Sequence, residues 1–249
     1  MKLMEQRVRA IWAVAAVLAA GVAGTALGQA RGPAQDKAAI EAIVRDYILS
    51  HPEIIPEAID RLRNKETAAA IDANRSAIET PFPGAEAGNP KGDVTLAVFF
   101  DYACPYCRQG HADVQKLIAA DKNLRVVYRE FPVLSPASEE AAMAGISAAK
   151  QGSYTKFHNA MFESPGKVSH DRTLGIAKGV GLDVARTTTD MANSAGKAEV
   201  DGNLALGRSL GLTGTPSYIV GDRIFSGAVG FDRLKEAVAA ARARRTSAG

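Results

Sequence analysis

Cysteine is almost absent from this chain, with two among 249 residues. No second cysteine cluster exists to complete a four-ligand zinc site. Tryptophan occurs once, as Trp12, inside an N-terminal apolar run. Neither sign of charge dominates: 30 Lys and Arg face 27 Asp and Glu, a formal net charge of +3. That balance carries no basic surplus of the kind that would point to nucleic acid. Beyond residue 30 no apolar stretch approaches the ~20 residues of a membrane-spanning helix. Internal repeats are also missing.

What is present begins with a leader pattern. Lys2, Arg7 and Arg9 precede an apolar run from Ile11 to Leu27, and small residues Gly28 and Ala30 follow. This layout predicts a cleaved secretory signal peptide over residues 1–30. Export of the mature chain is expected. Roughly 219 residues would remain, enough for one domain with a good core and an appendage.

Three further parts are expected. In residues 31–80, Ile40, Ile43, Val44, Tyr47 and Ile48 keep helical spacing. S-H-P-E-I-I-P-E-A then breaks and restarts the helix, with Ser50 as a cap and Pro52 in a first turn. The stretch from Arg63 to Arg75 is polar, and so thin an apolar stripe cannot hold strongly to a core, which predicts an arm, a linker or a helix packed against another subunit. Residues 81–93 are rich in Pro and Gly and read as a linker. From residue 94 the pattern turns to α/β. V-T-L-A-V-F-F is a buried strand, a helix starts at Pro105, and L-R-V-V-Y-R-E forms a second strand, which makes a parallel pair with a right-handed crossover. An inserted helical region covers about 138–210. G-T-P-S-Y-I-V-G-D-R-I-F-S-G then supplies two strands joined at Gly221–Asp222, a favoured hairpin pair. A last helix runs from Phe231 toward Arg244.

The two cysteines stand together in F-F-D-Y-A-C-P-Y-C-R-Q-G-H. A disulfide stabilises most when it closes a long loop, and Cys104 and Cys107 close almost none. The spacing therefore suits a bond that is made and broken. Cys104 falls at a strand-to-helix junction, where unpaired N–H groups and the helix dipole favour a thiolate, the reactive form. Cys107 lies one turn on and suits the resolving role. Arg108 adds positive charge on what is expected to be a solvated helix. A copper(I) ion taking two thiolates is an alternative, as is a holdase-type peptide-binding module. His111 is expected on the helix surface rather than as a ligand, His158 as structural or exposed, and no metal site is assigned. Tyr106 either contacts substrate or covers the helix start.

C-P-Y-C together with Gly214-Thr215-Pro216 resembles the DsbA-like family of periplasmic thiol–disulfide oxidoreductases, over Val94 to about Ala243. The resemblance implies a thioredoxin fold with an inserted helical domain. It implies that Pro216 is cis and sits beside the Cys104–Cys107 redox disulfide, the sole redox group, with no added cofactor. Pro105, Tyr106, Thr215 and Pro216 would support the site, Thr215 by backbone hydrogen bonds to an extended peptide. Exported proteins with thiols or disulfides, and a membrane redox partner, are the implied partners. D-Y-I-L-S-H-P-E-I-I-P-E-A is similar to the N-terminal segment of suppressor-of-copper-sensitivity C and Com1-like proteins, which implies a homo-oligomer through that segment. One departure stands out. The family often has a buried acid six residues before the first cysteine, where this chain has Val98. Asp101 and Glu130 are the candidates for the proton relay in its place.

Overall fold

The computed structural model describes residues 33–247, and the run V-T-L-A-V-F-F explains its architecture. Six of its seven side chains are buried, and successive side chains point to opposite faces of a strand. Leu96, Val98 and Phe100 enter one apolar cluster, Ala97 and Phe99 another. A strand buried on both faces must be central. The sheet comprises β1 (Glu86–Gly88), β2 (Val94–Phe100), β3 (Leu124–Glu130), β4 (Ser217–Val220) and β5 (Arg223–Ser226), in the order β1-β3-β2-β4-β5. Only β2 and β3 run parallel, joined by α3 (Pro105–Ala120). The other three pairings are antiparallel.

Between β3 and β4 lies the helical insertion: α4 (Pro136–Lys150), α5 (Tyr154–Glu163), α6 (His170–Gly179), α7 (Val184–Met191) and α8 (Ser194–Ser209). Ser135 starts α4 by accepting a hydrogen bond from the Ser138 N–H, the usual work of an N-cap serine. A two-residue turn at Gly221–Asp222 joins β4 to β5, with Gly221 at φ 63°, and α9 (Phe231–Ser247) closes the chain. This is the expected thioredoxin-type α/β fold with a helical insertion and an N-terminal helical segment. The signal-peptide reading, with Trp12, lies outside the described residues. Among those described, no helix is long and apolar enough to cross a membrane.

The chain divides into two compact units, Met1–Asp60 and Arg61–Gly249. In the first, α1 (Pro33–Ser50) exposes Ile40, Ile43, Val44 and Tyr47 at helical spacing. The next helix, α2 (Ile54–Glu79), begins two residues after Pro52, with Pro56 in its first turn.

Two expectations are corrected in the second unit. The polar stretch of α2 is not weakly held. Ile71 and Ile78 are buried among Ala97, Phe99, Phe131, Leu206, Leu210 and Ile219, and each such burial contributes about 1.5–3 kcal/mol. Arg129 of β3, 5 % exposed, donates to the carbonyls of Ala77, Ile78 and Thr80 at the end of α2 and to Asn203 Oδ1, and pairs with Glu199. A cation suits a helix C-terminus, where carbonyls lack partners. Residues 61–80 thus belong with the larger unit, and the boundary falls well before the 81–93 stretch. That stretch is itself more than a linker. Glu86–Gly88 pair with Arg125–Val127 as an edge strand, which the flanking Pro and Gly residues conceal in the sequence.

Arg129→Met should lower the unfolding free energy by about 3 kcal/mol, since it strands buried carbonyls that ask ~1–3 kcal/mol when unpaired. Urea unfolding measures this, and limited proteolysis should then cut first within residues 61–80.

Candidate active site

Cys104 is the N-cap of α3 and Pro105 its first helical residue. The carbonyl of Cys104 accepts hydrogen bonds from the N–H groups of Cys107 and Arg108. Its own side chain makes no cap bond, and the thiol instead donates to the Thr215 carbonyl oxygen at 3.3 Å. The Thr215–Pro216 peptide is cis. So the structure brings together Cys104, Cys107, Thr215 and Pro216, which are 111 residues apart at the Cys104–Thr215 contact. The pairing of β2 with β4, Phe99 opposite Ser217, sets this approach.

Both cysteines are present as free thiols. Cys107 is 3 % exposed. Burial pushes its thiol well above the usual range, countered in part by a hydrogen bond from the Asp101 backbone. Cys104 borders a groove of about 470 Å³ lined by Tyr102, Pro105, Arg108, Lys167 and Val168. Tyr106 projects into solvent, 64 % exposed.

The two relay candidates occupy different surroundings. Asp101 is buried, and its carboxylate accepts N–H bonds from Ala103 at 2.7 Å and from Val133 and Leu134 at 3.0 Å each. It ties the exposed apolar pair Val133 and Leu134 to the active-site turn. Glu130 accepts from the hydroxyls of Tyr154 at 2.9 Å and Tyr102 at 3.1 Å. Burial holds its carboxyl well above the usual carboxylate range, with the two tyrosine hydroxyls pulling back.

Arg108 is not solvated as expected. Its guanidinium donates to the carbonyls of Phe162 and Ser164 and pins the end of α5 over α3. Nor is His111 on the surface: it is 8 % exposed and stacks on Phe162. His158 is 2 % exposed, between Tyr128 and Phe100. His51 and His170 are exposed. Among the described residues, no group of three or more His, Cys, Asp or Glu could hold a metal ion.

Tyr154, Tyr218 and two glycines were not singled out from the sequence. The glycines did leave a signal, since glycine inside a helix costs ~1 kcal/mol against alanine and invites a packing reason. A Cβ on Gly110 would lie 2.0 Å from the Tyr218 hydroxyl and 3.6 Å from Pro216 Cγ; one on Gly145 would lie 2.4 Å from Glu130 Oε1.

A DSBA-like thioredoxin domain is matched over residues 95–239, and the copper resistance protein ScsC N-terminal domain over residues 36–69. A solved thioredoxin-like oxidoreductase from Silicibacter pomeroyi is 44 % identical, with TM-score 0.64, covering 68 % of this chain and 98 % of that one. A linker-deletion mutant of Proteus mirabilis ScsC is 26 % identical, with TM-score 0.68, covering 87 % and 99 %. Among curated proteins, a Na(+)/H(+) antiporter NhaA of Salinispora arenicola is 28 % identical over 156 residues, 62 % of this chain. The chain spans about a quarter of the length of that relative, 24 %.

Two outcomes test this geometry. Gly110→Ala should destabilise the protein by about 1–3 kcal/mol through overpacking against Tyr218, more than the ~1 kcal/mol of helix propensity returns. It should also slow Cys104 chemistry; thermal unfolding and thiol kinetics read the two effects. Glu130→Gln should flatten the dependence of stability on pH. A carboxyl raised in the folded state gives stability that is full below the ordinary carboxylate range and is lost as pH rises toward its folded value. That slope is at most about 1.4 kcal/mol per pH unit, and the amide removes it.

Proposed function

This chain belongs to the DSBA-like thioredoxin domain family, and from that premise we propose that it is a periplasmic thiol–disulfide oxidoreductase acting on exported proteins. The observation that carries the reading is Cys104 at the start of α3, its thiol 3.3 Å from the carbonyl of the cis Thr215–Pro216 turn. Cys107 stands one turn behind, out of water.

The chemistry follows from that order. Cys104, as thiolate, attacks one sulfur of a substrate disulfide, and the other sulfur leaves as a thiol. A mixed disulfide now joins Cys104 to the substrate. Cys107 gives up its proton and attacks the Cys104 sulfur, the bond to substrate breaks, and the Cys104–Cys107 disulfide forms. The substrate gains two electrons and the pair loses them. Run backward, the same steps oxidise a substrate dithiol. An extended peptide laid past Cys104 can meet the Thr215 backbone beside it, and exposed Tyr106, Val133 and Leu134 offer apolar contact.

The isomerase or reductase direction is favoured over the oxidase. An isomerase gains from a shared cleft between copies, and the apolar row Ile40, Ile43, Val44 and Tyr47 on α1 supports self-association. Such a row without a core to enter marks an interaction surface. A membrane redox partner would keep the pair reduced.

The deciding experiment is reactivation of a scrambled-disulfide protein by the pre-reduced chain. Recovery should depend on Cys104, vanish in Cys104→Ser, and give way to a trapped mixed disulfide in Cys107→Ser. No recovery, with fast oxidation of a reduced peptide by the disulfide form, assigns the oxidase direction. Suppression of aggregation that survives Cys104→Ser with Cys107→Ser, without any exchange, assigns a peptide-holding module instead.

A further inference from the structure

Cys107 must lose a proton to resolve a mixed disulfide, yet it has almost no access to water. Of the residues around it, Val98, Phe100, Val114, Phe162 and Pro216 neither donate nor accept protons, and Tyr128, His158 and Tyr218 line the same space. One further wall of the same small cavity is His111, four residues along α3. The cavity measures about 10 Å³, room for about one water.

His111 is itself anomalous. Its ring is buried, and neither nitrogen has a hydrogen-bond partner among the described residues. Buried polar atoms are seldom left so, and one that is asks for an explanation. Nε2 does have a neighbour in reach: Glu163 Oε1 at 3.5 Å, on a side chain 65 % exposed. The imidazole therefore spans from the Cys107 cavity to a carboxylate at the surface. We propose that His111, backed by Glu163, passes the Cys107 proton to and from solvent in the resolving step. This rests on the exchange reaction inferred above.

A neutral imidazole can accept at one nitrogen while its other N–H donates. Titratable groups face His111 from several elements. On its own helix these are Cys107 and Arg108. From α5 come His158, with ring centroids 5.3 Å away, and Glu163. Tyr128 of β3 and Tyr218 of β4 face the same cavity. Burial first, and Arg108 with it, lower the imidazole's affinity for a proton, and Glu163 opposes them. The proton therefore moves through the ring rather than resting on it. In the step, the Cys107 S–H bond breaks and the proton goes to His111, directly or through one water. The proton at Nε2 goes on to Glu163 and to solvent. The Cys107 sulfur bonds to Cys104, and the substrate thiolate departs with the electron pair of the broken S–S bond.

Rival groups are worse placed. Asp101 spends its oxygens on three backbone N–H groups. Glu130 faces Tyr102 and Tyr154 and is not on the cavity wall. His158 also lines the cavity, but it is 2 % exposed and turns Nδ1 to the Tyr102 hydroxyl at 3.4 Å.

Stopped-flow reaction of the pre-reduced full chain with glutathione disulfide separates the two steps. Mixed-disulfide formation by Cys104 depends on glutathione disulfide concentration, and release by Cys107 does not. The readout is the ratio of release to formation rates across about pH 5 to about pH 8, the span over which imidazoles titrate. His111→Phe, which keeps a ring against Phe162, should cut that ratio on the order of 10²-fold at neutral pH, the low end for a positioned acid–base group. Its release rate should then climb about tenfold per pH unit as hydroxide substitutes. Glu163→Gln, a surface change that leaves the core alone, should lower the ratio less and move the pH profile the same way; it decides the matter if His111→Phe folds poorly. Ratios and pH slopes equal to wild type in the folded variants overturn the proposal. Absence of any mixed disulfide in wild type is a different result: it overturns the exchange reaction, and this role with it.

Discussion

The approach of α3 to β4 is the constraint on which the site depends. Cys104 meets Thr215 only because the helix can press against Tyr218 and Pro216, and it can do so only because residue 110 has no side chain. The same approach shuts Cys107 away from water. Two buried thiols, Cys104 at the helix start against Thr215 and Cys107 one turn further in, are thus two results of one packing contact. Shielding makes proton access to the inner sulfur a separate physical problem.

Two adjacent ionisable residues on β3 organise the layers around this contact. Arg129 and Glu130 are both buried, on opposite faces of the sheet. Arg129 takes the carbonyls at the end of α2, with Glu199 and Asn203 of α8. Glu130 takes the hydroxyls of Tyr102 and Tyr154, in space left open by Gly145 of α4. Buried charged or polar groups are costly unless their bonds are satisfied. Each therefore holds its layer in one geometry, which apolar contact alone would specify less sharply. Arg108 and Asp101 do similar work nearer the cysteines. One pins the end of α5, the other the loop with Val133 and Leu134.

Much of this was legible in the residue order. Local signals are strong where one strand or one helix start decides the outcome. The run from Val94 to Phe100 is apolar on both faces, so it had to be central. Pro105 after Cys104 places the cysteine at a helix start, and Gly221–Asp222 closes a hairpin. Signals failed where the partner is distant in the chain. The edge strand Glu86–Gly88 exists because β3 offers it bonds, not because three residues prefer to extend. The polar helix from Arg63 to Arg75 looked unattached because its anchors, Phe99, Leu206, Ile219 and the guanidinium of Arg129, come from four other elements.

By itself, then, the sequence determined the fold class, the order of elements and the cysteine pair, since each follows from periodicity, turn chemistry or close spacing. Only the tertiary structure decided what surrounds the pair. A histidine four residues after a cysteine reads as a surface residue until α5 and the sheet cover it. Burial, and the protonation behaviour that follows from it, depend on every element packed around a side chain, and no local stretch of sequence encodes that.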